Sequence, residues 1–254
     1  MRGSNVSFNE MIRKASKANR SKIVLALDLE DPNPQELLQK CMKILGNVAS
    51  QICAVKLNRQ VILSLGLRDG VDRIVRMAHD FSLPTIMDAK LNDVAHTNEF
   101  MLRSYAEVGF DAVIASPIPG WEGGLDTVFR LADSLGKGVI LLVYMSNPGA
   151  EAIYSLTATS TNGESKPLFE LLAEMAVQWK ASGVIVGATK PEIIRRVRQL
   201  IGREINIFSP GVGTQGGDPG AAVAAGADYL IVGRSIYAQA DPLSAARRYR
   251  NMPA

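Results

Sequence analysis

One short stretch places an acid, a base and a second acid in succession: Asp88-Ala89-Lys90-Leu91-Asn92-Asp93. An ammonium held among carboxylates stays cationic and can protonate a carbanion as it forms. In a chain with only 2 histidines, a buried lysine among such acids is the natural proton donor. His79 falls within a helical stretch, as a surface or packing residue. His96 lies on the helix beyond Asp93, beside the candidate site rather than in it. A charged surface loop can also satisfy D-x-K-x-x-D, so the surrounding elements must decide.

Thr85 to Met87 read as a short buried strand entered after Pro84. Alternation along a strand points Asp88 and Lys90 to the same side at its end. Asp93 then falls where a helix N-cap is expected, and Thr97 shares its face one turn later. Val94, Met101, Tyr105 and Val108 supply an apolar stripe at helical spacing.

The same unit recurs. Apolar runs at residues 23–28, 52–56, 85–87, 111–115, 138–144, 183–187, 204–209 and 228–232 read as strands. Helical patterns separate them, among them 35–45, 167–181, 191–201 and 242–250, with a short leading helix over 8–18. Continuous apolar strands are buried on both faces, and the alternation implies parallel β-α units. Eight units predict a (β/α)8 TIM barrel of the α/β class, one domain over 1–254 with a helical extension over about 1–22. A doubly wound open sheet is the alternative. Gly109-Phe110-Asp111-Ala112-Val113-Ile114 echoes Gly226-Ala227-Asp228-Tyr229-Leu230-Ile231, each a helix-ending glycine feeding a strand.

Composition narrows the function classes. The 254 residues are 47% hydrophobic, enough for one large core, and the net charge is +3 from 28 basic and 25 acidic residues. No long basic block implies nucleic acid as a partner. No apolar run is long enough for a membrane span, and the first twenty or so residues lack the core of a secretion signal. Cys41 and Cys53 read as reduced core residues, so a cytoplasmic location is expected.

Polar residues collect where strands end. Asp28, Lys56, Asp88 with Lys90, Ser146 and Pro210 would ring one mouth of the barrel, the face that carries active sites. The glycine-dense stretch from Ser209 to Asp218 follows the seventh strand, and Gly233-Arg234-Ser235 follows the eighth. Loops at these two positions are the usual phosphate grip of such barrels, with glycine backbone N–H groups and an arginine fork against the anion. A late glycine loop argues against a dinucleotide site. The polar stretch 157–166 reads as the least ordered part, either a mobile loop over the site or a plain surface insertion.

Taken together, Asp28, Lys56, Asp88-x-Lys90-x-x-Asp93, Met145-Ser146-Asn147-Pro148-Gly149, Pro210-Gly211-Val212-Gly213, Gln215-Gly216-Gly217-Asp218 and Gly233-Arg234-Ser235-Ile236-Tyr237 resemble the orotidine 5'-monophosphate decarboxylase family, in its compact microbial and archaeal branch. Asn147 departs from a histidine common there. The resemblance implies a homodimeric barrel that converts orotidine 5'-monophosphate to uridine 5'-monophosphate (UMP) and carbon dioxide, with no metal and no organic cofactor. It assigns Lys90 as the acid for carbon 6, Asp88 to the neighbourhood of the leaving carboxylate, and Lys56 and Asp93 to the same charge network. Asp28 and Lys56 would hold the ribose hydroxyls, and Ser146 would read the pyrimidine edge. Gln215, Arg234 and Gly233, in the loops that begin at Pro210 and Gly233, would hold the phosphate. Asp93 and Thr97 would reach into the partner's site.

Two alternatives share much of this pattern. Magnesium-dependent sugar-phosphate decarboxylases and synthases of the same superfamily keep the Asp-x-Lys-x-x-Asp strand end but place an acid where Lys56 stands. A non-catalytic nucleotide-binding relative could keep Arg234 and the glycine loop without needing both lysines.

Overall fold

The structure is a computed structural model that describes residues 6–160 and 163–252. The first residues of the expected N-terminal extension lie outside them. The chain opens with α1 (Phe8–Asn19), held by a capping box in which the Ser7 hydroxyl accepts from the Glu10 N–H and the Glu10 carboxylate accepts from the Ser7 N–H. Then follow β1 (Ile23–Ala26), α2 (Pro34–Val48), β2 (Ala54–Asn58), α3 (Arg59–Leu65), α4 (Asp72–Asp80), β3 (Thr85–Leu91), α5 (Ala95–Val108), β4 (Ala112–Ala115), α6 (Asp126–Leu135) and β5 (Gly138–Tyr144). After α7 (Ala150–Tyr154) come β6 (Thr157–Thr159), β7 (Ser165–Pro167), α8 (Leu168–Gln178), β8 (Gly183–Val186), α9 (Pro191–Ile201), β9 (Asn206–Pro210), α10 (Pro219–Ala225), β10 (Tyr229–Val232), α11 (Arg234–Tyr237) and α12 (Pro242–Arg250).

Eight parallel strands close in the order β1-β10-β9-β8-β5-β4-β3-β2. This is the (β/α)8 barrel expected from the alternation, and the open sheet is excluded because each of the eight strands pairs with two neighbours and none is an edge. Helices on the outside bury one face of each barrel strand while the barrel interior buries the other, which is why the strand sequences are mostly apolar, with charged residues confined to the C-terminal parts of β2 and β3.

The leading helix seals the lower mouth. Phe8 is fully buried and stacks on Phe208, which stacks in turn on Tyr229. Gly138 opens β5 without a side chain because a Cβ there would lie 2.7 Å from the Phe8 ring.

The internal echo is structural. Gly109 and Gly226 both cap helices in the left-handed region, at φ 110° and 115°. Asp111 and Asp228, two residues on, each reach back to the preceding strand of the pair. Asp111 accepts from the Thr85 N–H and Asp228 from the Ile207 N–H, both at 2.8 Å. His79 and Lys137 flank Asp111, and Arg198 pairs with Asp228.

Several boundaries differ from the sequence reading. The second strand runs past Lys56 to Asn58 because Lys56 pairs with Ile86 and Asn58 with Asp88. The third continues past Asp88 to Leu91, with a register shift between Met87 and Leu91. Asp93 is not the N-cap of α5: Val94 is. The buried Asn98 side chain binds both the N–H and the C=O of Asp93 and holds that residue in the turn outside the helix. Val94 is consequently exposed, and the buried face of α5 is formed by Asn98, Leu102 and Tyr105. The polar stretch after the fifth strand is an antiparallel hairpin of β6 and β7, and none of its described residues lines the barrel's upper cavity.

Candidate active site

A cavity of about 390 Å³ opens at the C-terminal ends of the strands. Ile114, Leu142, Ile185 and Ile231 make an apolar wall. Asp28, Lys56, Asp88, Lys90, Ser146, Pro210, Gln215, Gly233 and Arg234, all selected from the sequence, line it as well. Asp93 and Thr97 do not. Asp93 is exposed at the rim, where its carboxylate accepts from the Val94 N–H at 2.7 Å.

Four charged groups alternate in sign across the cavity. Lys56 Nζ lies 3.4 Å from each Asp28 oxygen and 3.0 Å from Asp88 Oδ2, and Lys90 Nζ lies 2.7 Å from Asp88 Oδ1. Asp88 therefore gives one oxygen to each lysine. Burial alone would push the Lys56 ammonium toward neutrality, but Asp88 and Asp28 outweigh it and hold its pKa above the ordinary lysine value. Burial likewise opposes the charge on Asp88, and Lys56 and Lys90 overcome it, keeping its pKa below the usual carboxylate range. Side-chain exposure falls from 26% at Lys90 to 5% at Lys56, so Lys90 is the ammonium that faces the open cavity.

Local backbone shape aims Lys90. Its φ is 47°, in the left-handed region that non-glycine residues enter at a cost of about 1–2 kcal/mol. It sits inside the register shift of β3, where the ladder to β4 is interrupted.

The glycine loop is built for close approach. A Cβ on Gly211 would fall 2.8 Å from Ser146 Cβ and 3.0 Å from Gln215 Oε1, so these two side chains close over the bare backbone between them. Arg234 opens the short helix α11 on the neighbouring strand's loop and lines the same cavity.

Sequence reading missed Asn58, Gln60, Thr214 and Tyr237, which also line the cavity. Asn58 follows Lys56 by two residues in one strand, so alternation alone places it on the same side. Tyr237 follows Arg234 by three on α11, a helical-spacing signal. Gln60 Nε2 and the Tyr237 hydroxyl both donate to the Asp28 backbone C=O, at 3.1 and 3.2 Å. Asn98, buried under the Asp93 turn, had no signal beyond its place one turn into the helix.

The cavity is poorly suited to a divalent cation. Of the three carboxylates that line it, Asp28, Glu30 and Asp88, two are bridged by the Lys56 ammonium, which fills the space between Asp28 and Asp88 where a metal would have to sit. Among the described residues no group of three or more His, Cys, Asp or Glu side chains gathers in metal-ligand geometry.

Comparison with known proteins agrees with this geometry. Residues 21–249 match the family described as Orotidine 5'-phosphate decarboxylase / HUMPS family. The chain is 35% identical over 229 residues to the orotidine 5'-phosphate decarboxylase of Methanosarcina barkeri, covering 90% of this chain and 93% of that protein. It is 36% identical over 228 residues to the enzyme of the same name from Thermococcus kodakarensis, covering 90% and 94%. Among solved structures, the orotidine 5'-monophosphate decarboxylase of Methanocaldococcus jannaschii, complexed with the inhibitor BMP, superposes with a TM-score of 0.78 at 28% identity, covering 91% of this chain and 98% of that one. The Pyrococcus horikoshii orotidine 5'-phosphate decarboxylase does so at 0.70 and 34% identity, covering 90% and 97%. A closed eight-stranded barrel, an alternating lysine–aspartate array at its upper mouth and matches over nine-tenths of the chain converge on one conclusion: the chain belongs to the orotidine 5'-phosphate decarboxylase / HUMPS family.

Proposed function

We propose that the chain decarboxylates orotidine 5'-monophosphate to UMP and carbon dioxide, with Lys90 as the proton donor and no metal or organic cofactor. One observation carries the reading: Asp88 divides its oxygens between Lys90 and Lys56, leaving the more open ammonium facing the cavity. The substrate carboxylate would lie beside Asp88. As the carbon–carbon bond breaks, its electron pair stays on carbon 6 of the pyrimidine and carbon dioxide leaves. The ammonium of Lys90 stabilises that localised pair and transfers a proton to it, and the resulting amine regains a proton from solvent. A preformed charge array costs no reorganisation at the moment of reaction, which makes such electrostatics effective.

The rest of the cavity serves placement. Asp28 and Lys56 would bind the ribose hydroxyls, and Ser146 the pyrimidine edge. Gln215, Arg234 and the backbone near Gly233 and Pro210 would hold the phosphate. Binding energy gathered at the phosphate can then be applied to the distant reacting carbon.

A homodimer would complete the site. Asp93 and Thr97 stand outside the cavity of their own chain, on the turn and helix that follow β3. The segments that follow β2, β3 and β4 carry the exposed apolar residues Leu63, Val94, Phe100 and Ile118. A second copy covering them would bring Asp93 to its neighbour's ribose. The whole chain would act as one barrel domain, with α1 as its lower plug. Free thiols at the buried Cys41 and Cys53 fit a cytoplasmic location. The test is the fall in ultraviolet absorbance as orotidine 5'-monophosphate is consumed; binding of the nucleotide with no such fall would leave a silent relative instead.

A further inference from the structure

The glycine loop after β9 is fastened to the loop after β10 through one hydroxyl. Ser235 Oγ accepts from the Thr214 backbone N–H at 3.1 Å and lies 2.9 Å from Thr214 Oγ1. Beside this contact Gly213 is in the left-handed region, at φ 74°. A Cβ there would fall 3.1 Å from Ser235 Cβ and 2.5 Å from the Tyr249 hydroxyl. The loop tip is thus pressed onto Ser235 at a position where only glycine fits. The base of the loop is closed separately, by the Gly213 N–H to the Gly217 C=O and the Gly217 N–H to the Gly211 C=O, each 3.0 Å.

The position of the hook matters. Thr214 is the residue before Gln215, and Ser235 is the residue after Arg234. Bonding Thr214 to Ser235 therefore ties together the loops that carry Gln215 and Arg234, the two side chains proposed above to hold the phosphate. A glycine-dense loop has much conformational freedom to lose on binding. A fastening present before the ligand arrives removes part of that loss.

We propose that Ser235, acting through Thr214, is a positioning residue for the phosphate. It fixes the glycine loop so that Gln215 and Arg234 converge on the 5'-phosphate, and it has no contact of its own with the ring or ribose. This rests on the nucleotide reading above. A hydrogen bond of this kind is worth a factor of roughly 3 to 10 in affinity.

Titration calorimetry with UMP and with uridine separates this role from a general structural one and does not depend on turnover. For Ser235→Ala, UMP binding should weaken about 3- to 10-fold while uridine binding stays within about twofold. Thr214→Val should show part of the same loss, the double variant should bind UMP no more weakly than Ser235→Ala, and Thr214→Ser should restore the wild-type value. Unchanged UMP binding in Ser235→Ala, equal weakening of UMP and uridine, or additive losses in the double variant would overturn the proposal. A wild-type chain that consumes orotidine 5'-monophosphate alongside such results would leave the assigned reaction standing and this inference alone rejected.

Discussion

Lys90 Nζ sits 2.7 Å from Asp88 Oδ1 although Lys90 holds a left-handed backbone and the strand that carries both residues is out of register. A regular strand would satisfy simple alternation without this strain. The irregularity falls where the more open of the two ammonium groups meets Asp88 and still faces the cavity.

The charge array makes stability depend on pH in a defined direction. Asp88 and Asp111 both have pKa values lowered by folding, despite burial that opposes their charge, so their contribution is complete above the unfolded carboxylate value of about 4 and is lost as pH falls through the folded one. Lys56 is raised, so its contribution is complete below about 10.4 and is lost as pH climbs through the folded value. Urea midpoints should therefore fall on acidification below about pH 4. A midpoint that rises between pH 5 and pH 3 would contradict the network.

Asp111 isolates the lower face from the chemistry. It is buried, bonds the Thr85 N–H and hydroxyl, and pairs with His79 at 2.9 Å. Asp111→Ala removes these partners together and should cost about 2–4 kcal/mol in denaturant unfolding. Turnover per folded molecule should remain unchanged, because the upper mouth is untouched. A loss of turnover without a loss of stability would show that the two ends of the barrel are coupled.

Sharing of Asp93 between subunits is open to complementation. Lys90→Ala and Asp93→Ala homodimers should each be inactive or nearly so. Random remixing in equal amounts should make half the dimers mixed, each with one intact site, and so restore about a quarter of wild-type activity. No recovery in a mixture that has demonstrably exchanged subunits would place Asp93 in its own chain's site.

Metal dependence separates the proposal from magnesium-using members of the superfamily. With Lys56 between Asp28 and Asp88, turnover should be unchanged by excess EDTA and by added magnesium. A loss in EDTA that magnesium reverses would point to the sugar-phosphate reaction instead.

Much of this was legible in the chain itself. Continuous apolar runs alternating with helices pointed to a parallel sheet buried on both faces. The count of eight units favoured the barrel over an open sheet, and pairing of β1 with β2 closes it. Residues at strand ends marked the upper mouth: Asp28, Lys56, Asp88, Lys90, Ser146 and Pro210, chosen that way, all line one cavity, joined by Gln215, Gly233 and Arg234 from the two late loops. What escaped depends on contacts between distant residues. The delayed start of α5 follows from Asn98 folding back on the Asp93 backbone, which outcompetes the local preference for an aspartate cap. The left-handed Lys90 falls where the ladder between β3 and β4 slips out of register, and the hairpin in the polar stretch 157–166 comes from pairing between its own ends. Gln60 and Tyr237 meet at one carbonyl of Asp28 only once the barrel closes.

The most direct measurement is turnover of orotidine 5'-monophosphate by Lys90→Ala, with UMP affinity and thermal unfolding recorded on the same preparation. Removing the proton donor should lower turnover by at least about 10²- to 10⁴-fold while the fold and UMP binding remain largely intact. Near wild-type turnover in a folded, UMP-binding Lys90→Ala variant would contradict the role given to this ammonium.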